Sequence, residues 1–156
     1  MASSHVEWDT ITCNAAVSAC EKVGNWCQAL GLLNQMASSR VEWDTITCNA
    51  AVSACEKVSE WAQALNFLAQ MASSHVESDT ITYNAAVSAC EKVGNWCQAL
   101  GLLNQMASSH VEWDTITCNA AVSACEKVSE WAQALNFLAQ MASSHVESDT
   151  ITYNAA

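Results

Sequence analysis

The sequence predicts an all-α solenoid of helix-turn-helix repeats, and three observations carry that expectation. The motif Thr-Ile-Thr begins at Thr10, Thr45, Thr80, Thr115 and Thr150, always 35 residues apart. Methionine occurs only at positions 1, 36, 71, 106 and 141, on the same period. Between these markers the apolar residues recur at helical steps in both halves of every unit. A fixed period of about 20–50 residues indicates stacked supersecondary units, none of which buries its apolar face alone.

The layout is a nine-residue lead that ends one repeat (1–9), four full repeats (10–44, 45–79, 80–114 and 115–149) and a seven-residue start of another (150–156). A second period overlies the first. Residues 1–86 and 71–156 differ at only three positions, Trp8/Ser78, Cys13/Tyr83 and Arg40/His110, so the unit of duplication is a 70-residue pair of unlike repeats.

Taking the first full repeat in order, Asp9-Thr10 offers a helix start, because side-chain oxygens there accept from the orphan amides of the first turn. Ile11, Cys13, Ala16, Val17, Cys20 and Val23 then recur at mixed three- and four-residue steps, which suits a helix buried on more than one side. Gly24-Asn25 breaks it, with Ser59-Glu60 as the counterpart in the alternate repeat. Trp26, Ala29, Leu30, Leu33 and Met36 form the single amphipathic stripe of a second helix. The stretch from Ala37 to Trp43 returns the chain to the next start. Two helices of about 11–13 residues and two short turns fill the period and leave no room for a strand.

Composition removes other classes. In 156 residues, sixteen acids against five bases give a net charge of −11, and charged residues make up 13%. That is about half the usual globular share. With 51% hydrophobic residues and no proline, the chain is neither an acidic disordered tail nor a low-complexity linker. No apolar run approaches the roughly 18 residues that span a bilayer. The opening residues lack the basic and apolar regions of a signal peptide and the arginines of a transit peptide. Both ends cut a repeat open, which predicts a piece of a longer array.

Two families of helical-hairpin repeat compete for this pattern. A tetratricopeptide repeat has a period of about 34 and a Trp…Leu-Gly…Tyr signature in its first helix. Here the period is 35 throughout and the invariant tryptophan heads the second helix. The stretch Asp79-Thr80-Ile81-Thr82-Tyr83-Asn84-Ala85-Ala86-Val87-Ser88-Ala89-Cys90-Glu91-Lys92 resembles the first helix of the pentatricopeptide repeat. Trp96-Cys97-Gln98-Ala99-Leu100 through Met106 resembles its second helix. The resemblance covers essentially the whole chain. One departure recurs: where the family usually has proline just before the closing aspartate, this chain has Trp43, Ser78, Trp113 or Ser148.

The resemblance implies a right-handed superhelical solenoid that binds single-stranded RNA, about one base per repeat, read by two or three side chains. By that resemblance the base readers are the fifth and last residues of each repeat: Asn14 with Asp44, Asn49 with Asp79, Asn84 with Asp114 and Asn119 with Asp149. The second residues, Ile11, Ile46, Ile81 and Ile116, pack against the bases. Lys22, Lys57, Lys92 and Lys127, the only lysines, approach the phosphates. In the family's code Asn with Asp reads uracil, while Thr with Asp reads guanine, so the four identical pairs imply a U-rich target. The family also implies a mitochondrial or chloroplast setting and work in organellar RNA processing, stability or translation. Each of these residues also suits a structural role: Lys at a helix C-terminus is favoured by the macrodipole, Asp before a helix is an ordinary cap, and duplication copies any residue.

Other chemistry is not indicated. The nine cysteines contain no CxxC pair and read as small buried thiols in a reducing compartment. His5, His75, His110 and His145 fall in the return turn, where Arg40 replaces one, so they are not a ligand set. Trp26, Trp61, Trp96 and Trp131 are assigned to the inter-helix core. Trp8, Trp43 and Trp113, at the expected proline, are expected to pack into the next repeat. Glycine is limited to Gly24, Gly31, Gly94 and Gly101, with no phosphate loop. No nucleophile–base pair stands out. No catalysis, cofactor, metal, DNA duplex or membrane partner is expected.

Charge sets a second reading beside the first. Phosphate neutralisation supplies much of the affinity for nucleic acid, yet each repeat sets one lysine against at least three acids, such as Glu21, Glu42 and Asp44. Stacking and base contacts of about 1–3 kcal/mol per base over four repeats predict binding no tighter than about micromolar. The alternative is a protein-binding α-solenoid, which predicts weak salt dependence and indifference to base identity.

Overall fold

The computed structural model describes residues 9–143. Among the described residues there are eight helices: α1 (Thr10–Lys22), α2 (Trp26–Ser38), α3 (Thr45–Lys57), α4 (Trp61–Ser73), α5 (Thr80–Lys92), α6 (Trp96–Ser108), α7 (Thr115–Lys127) and α8 (Trp131–Ser143). The first helices of successive repeats, α1, α3, α5 and α7, pack side by side in one layer. Each second helix packs against its own first helix, and α2, α4 and α6 also pack against the first helix of the following repeat. The all-α solenoid expected from the period is the observed architecture.

Local chemistry sets the helix ends. The carboxylates of Asp9, Asp44, Asp79 and Asp114 accept from the backbone N–H of Thr12, Thr47, Thr82 and Thr117 at 2.7, 2.8, 2.9 and 2.8 Å. Each thus satisfies an orphan donor of the first turn. At the other end, Asn25 N–H bonds to Cys20 O and Gly24 N–H to Glu21 O, a Schellman motif with Gly24 in the left-handed region at φ 66°. The same motif closes the second helix, where Val41 N–H bonds to Met36 O and Arg40 N–H to Ala37 O, with Arg40 at φ 59°. His75 and His110 hold the equivalent left-handed position, at φ 58° and 57°. His75 and His110 are therefore helix terminators, in a conformation that His adopts more readily than most non-glycine residues.

The two kinds of repeat differ at the turn inside the hairpin. Gly24 and Gly94 accept positive φ without a Cβ, and a Cβ built on Gly24 would meet Val58 Cγ1 at 2.9 Å. Asn25 and Asn95 then cap α2 and α6 through the Gln28 and Gln98 backbone amides. In the alternate repeats Ser59 and Ser129 take φ 61° and 58° with a side chain in place, and Glu60 makes no capping bond to α4. Replacing Ser59→Gly together with Glu60→Asn removes one left-handed side chain and adds one cap. The pair is expected to stabilise the array by about 1–2 kcal/mol, seen as a higher urea midpoint; an unchanged midpoint contradicts the assignment.

The core runs continuously through the stack. Met36, Met71 and Met106 are fully buried, which explains the methionine period. Ala51, Ala54, Ala86, Ala89, Ala121 and Ala124 are also fully buried on the first helices. Small side chains there let neighbouring first helices approach closely while Leu33, Leu103, Phe67 and Phe137 fill the space beneath the second helices.

Candidate functional site

Burial divides each first helix into two sides. In α3, Thr47, Cys48, Ala50, Ala51, Val52, Ala54 and Cys55 are buried. Besides the end residues Thr45 and Lys57, what remains open or partly open is Ile46, Asn49, Ser53 and Glu56, at steps of three, four and three. Residues so spaced share one face of a helix. The same stripe of Ile, Asn, Ser and Glu, with the exposed Lys beside its end, recurs on α5 and α7; α1 is open more widely, with Thr12, Ala15 and Ala19 also exposed.

At the head of the stripe, Ile11, Ile46, Ile81 and Ile116 are 80%, 64%, 62% and 68% exposed. Isolated exposed isoleucines are ordinary. A row of them at one register per repeat gives the first-helix layer a line of apolar contacts.

Beside that row the amides and carboxylates meet across repeats. Asn14 Nδ2 donates to Asp44 Oδ2 at 2.9 Å, and Asn84 Nδ2 to Asp114 Oδ2 at 2.9 Å. Asn49 Nδ2 lies 3.2 Å from both oxygens of Asp79. The aspartates are the caps already described, so one carboxylate holds a helix start with one oxygen and orients an asparagine with the other. Asp149, the expected partner of Asn119, lies outside the described residues.

A third residue completes each cluster, and the sequence reading missed it. The hydroxyls of Thr47, Thr82 and Thr117 donate to the Oδ1 atoms of Asn14, Asn49 and Asn84. The same hydroxyls lie 2.7, 2.9 and 2.6 Å from the capping carboxylates. These threonines are fully buried. Being the second Thr of Thr-Ile-Thr was the only available signal, and it gave no hint of a partner 33 residues away. The asparagine amide is held at its oxygen by Thr and at one N–H by Asp, which leaves one N–H as a free donor.

Electrostatics follow from these bonds. Burial pushes the Asp44 carboxyl up, but the hydrogen bonds from the Thr47 hydroxyl, the Asn14 amide and the Thr47 backbone together hold it below its ordinary value. Asp114 is lowered in the same way by Thr117 and Asn84 against the opposing effect of burial. Exposed Asp9 is lowered by the Thr12 backbone and hydroxyl.

The lysines lie at the far end of the stripe, paired with the preceding repeat. Lys57 Nζ is 3.7 Å from Glu21 Oε1, Lys92 Nζ 2.5 Å from Glu56 Oε1, and Lys127 Nζ 2.7 Å from Glu91 Oε1. Lys22 has no ion-pair partner among the described residues. The site therefore brings Ile, Asn, Asp and Lys to one face, with glutamate between the lysines.

Several sequence expectations need adjustment. Seven cysteines are buried as expected, but Cys27 and Cys97 are exposed. They sit one residue past Trp26 and Trp96, off the Trp-Ala-Leu-Leu-Met stripe that enters the core. Burial pushes the thiols of Cys48, Cys55 and Cys118 up to about 12 and that of Cys90 up to about 11, which keeps them protonated and inert. Trp26, Trp61 and Trp96 pack against the edge of the core, whereas Trp131 is 66% exposed. The repeat that would follow α8 lies outside the described residues. Trp43 and Trp113 donate Nε1–H to Leu33 O at 3.0 Å and Leu103 O at 2.9 Å, one helix back rather than only forward. Trp113 also meets Phe137 of the next repeat with ring centroids 5.6 Å apart. These bonds draw both rings away from the stripe. Trp8, His5 and His145 lie outside the described residues. No group of His, Cys, Asp or Glu suited to a metal is found among the described residues, and none of their helices is long and apolar enough to cross a membrane.

Comparison with known proteins places this geometry. The chain matches none of the curated proteins. Its fold is similar to the crystal structure of the maize pentatricopeptide repeat protein PPR10, with a TM-score of 0.83 at 22% identity over 94% of this chain and 21% of that one. PPR10 in complex with an 18-nt psaJ RNA element gives 0.80 at 21% identity, over 97% and 22% of the two chains. The PPR domain of Arabidopsis thaliana protein-only RNase P 1 in complex with tRNA gives 0.80 at 13% identity, over 96% of this chain and 79% of that one. The chain thus spans about a fifth of the length of PPR10. A sequence model of the pentatricopeptide repeat domain matches residues 31–93 and 101–156, and one of the single PPR repeat matches 11–41 and 81–111. With most of its length matched by these repeats, the chain belongs to the pentatricopeptide repeat family.

Proposed function

We propose that this array binds single-stranded RNA at about one base per repeat and prefers uridine. The observation that carries the reading is the oriented asparagine. With its oxygen bonded by Thr and one N–H held by Asp, Asn14, Asn49 or Asn84 is fixed in orientation and keeps one N–H to donate to a base. Uracil carries an acceptor at O4, where cytosine carries an amino donor; adenine has an amino donor and guanine an acceptor at the corresponding positions. A reader that turns its N–H toward that position therefore favours uracil over cytosine and adenine.

The exposed isoleucines Ile11, Ile46, Ile81 and Ile116 give each base an apolar surface to rest on, and Lys22, Lys57, Lys92 and Lys127 supply the cations near the strand. Asp149 would serve Asn119 as Asp44 serves Asn14. PPR10 and the RNase P domain, which share the fold, were crystallised with RNA. The family's repeats act as a binding module rather than a catalytic one, and the setting we propose is organellar RNA processing, stability or translation in a mitochondrion or chloroplast.

The test is binding to labelled U12, A12, C12 and G12. The expected order places U12 first, by about tenfold or more over C12 and A12, since each base contact contributes about 1–3 kcal/mol of discrimination. Equal binding to all four, or to none, contradicts the reading and favours a protein partner for the same face.

A further inference from the structure

The glutamate that ends each stripe has no part in base reading, yet it is built into the stack. Glu56 Oε1 accepts from Ser88 Oγ at 3.2 Å and lies 2.5 Å from Lys92 Nζ, and the same ammonium donates to Glu56 O at 2.8 Å. Glu91 repeats the arrangement one step on, with Ser123 Oγ at 3.0 Å and Lys127 Nζ at 2.7 Å. Glu21 and Lys57 form a looser rung at 3.7 Å. Each rung joins position twelve of one repeat to position thirteen of the next, and the two tight rungs also take in position nine. The result is an ion-pair ladder along the open face of the first helices.

We propose that Glu21, Glu56 and Glu91 are resident competitors for the RNA phosphates, so that Lys57, Lys92 and Lys127 reach the strand only by exchanging a carboxylate for a phosphate. This rests on the RNA reading above. A lysine ammonium is a compact point charge that binds phosphate at hydrogen-bond distance. In the two tight rungs a carboxylate already occupies that distance, held there by a serine hydroxyl. A phosphate arriving at the same ammonium meets the displaced carboxylate as a like charge a few ångströms away. Exchange of one anion for another releases fewer counterions than neutralisation of a free cation, so the salt dependence is shallow. The ladder makes this array a weak binder by construction, at a place where the sequence has kept all its lysines.

The glutamates are replaceable without loss of shape, since glutamine keeps the length and the serine hydrogen bond. Glu56→Gln with Glu91→Gln frees Lys92 and Lys127. The double variant is expected to bind U12 roughly tenfold or more tightly at low salt, with a log–log salt slope steeper by about 1.4, from about 0.7 per phosphate contacted on a single strand. Glu21→Gln, at the loose rung, is expected to change less. The control is Glu77→Gln with Glu112→Gln, which makes the same change in net charge on exposed residues of the return turns.

Wild-type protein, the ladder variant and the control are titrated with U12 at two salt concentrations. A gain in affinity and slope confined to the ladder variant supports the proposal. Equal gains in ladder variant and control assign the effect to net charge and overturn it, as does wild-type binding that neither variant changes. If no form binds any of the four homopolymers, the RNA reading itself fails and the competitor role falls with it.

Discussion

Asp44→Ala is expected to destabilise the array by about 2–4 kcal/mol. About 1 kcal/mol comes from loss of the α3 cap. The rest comes from the Asn14 amide N–H, left short of a partner at about 1–3 kcal/mol when enclosed, while the Thr47 hydroxyl keeps its bond to Asn14 Oδ1. Asp9→Ala is the internal comparison, because Asp9 caps α1 while exposed and holds no asparagine among the described residues. Its loss is expected to be smaller. Urea denaturation at pH 7 measures both, and equal losses would mean that the Asn–Thr–Asp cluster contributes nothing to the fold.

The same carboxylates give the array an acid limit. Asp44 and Asp114 titrate below their ordinary values when folded. The unfolded chain therefore takes up protons first as pH falls below about 4. Their contribution is full above that pH and is lost as pH drops through the depressed folded values. Wild type should lose stability steeply below pH 4, and Asp44→Ala should lose less over the same range.

The second large effect is on base identity. In Asn49→Thr with Asn84→Thr, two of the oriented amides disappear, along with their bonds to Asp79, Asp114, Thr82 and Thr117. The helix caps stay, because the capping carboxylates bond the backbone independently. The family's code pairs Thr and Asp with guanine. Two repeats at about 1–3 kcal/mol each are enough to reverse a uridine preference without unfolding the stack.

Much of the fold was legible because its signals are local. The starts of α1, α3, α5 and α7 fall where Asp-Thr announces them, and α2 begins at the tryptophan after Gly24-Asn25. Caps, turns and helical periodicity act within a few residues, so spacing alone reveals them. Parts that depend on distant neighbours were not legible. The threonine that fixes each asparagine comes from the next repeat, and so does the lysine that meets each glutamate. Nothing in the order of residues says that positions three and thirteen of one repeat meet positions five and twelve of the one before. The histidines fall in a turn that tolerates arginine, but the backbone of His75 and His110 sits in the left-handed region, which a one-letter pattern without glycine does not announce. Cys27 and Cys97 were grouped with the buried thiols because small residues usually are, although their register on the second helix points away from its stripe.

The most direct measurement of the account is a competition between U12 and a 12-mer with two adjacent guanines in a U background, for wild type and for Asn49→Thr/Asn84→Thr. Wild type should prefer U12, and the variant should prefer the guanine-bearing strand, at a temperature where both proteins are folded. If both proteins rank the two strands alike, the asparagines do not read bases, and the clusters at Asp44, Asp79 and Asp114 are helix caps alone.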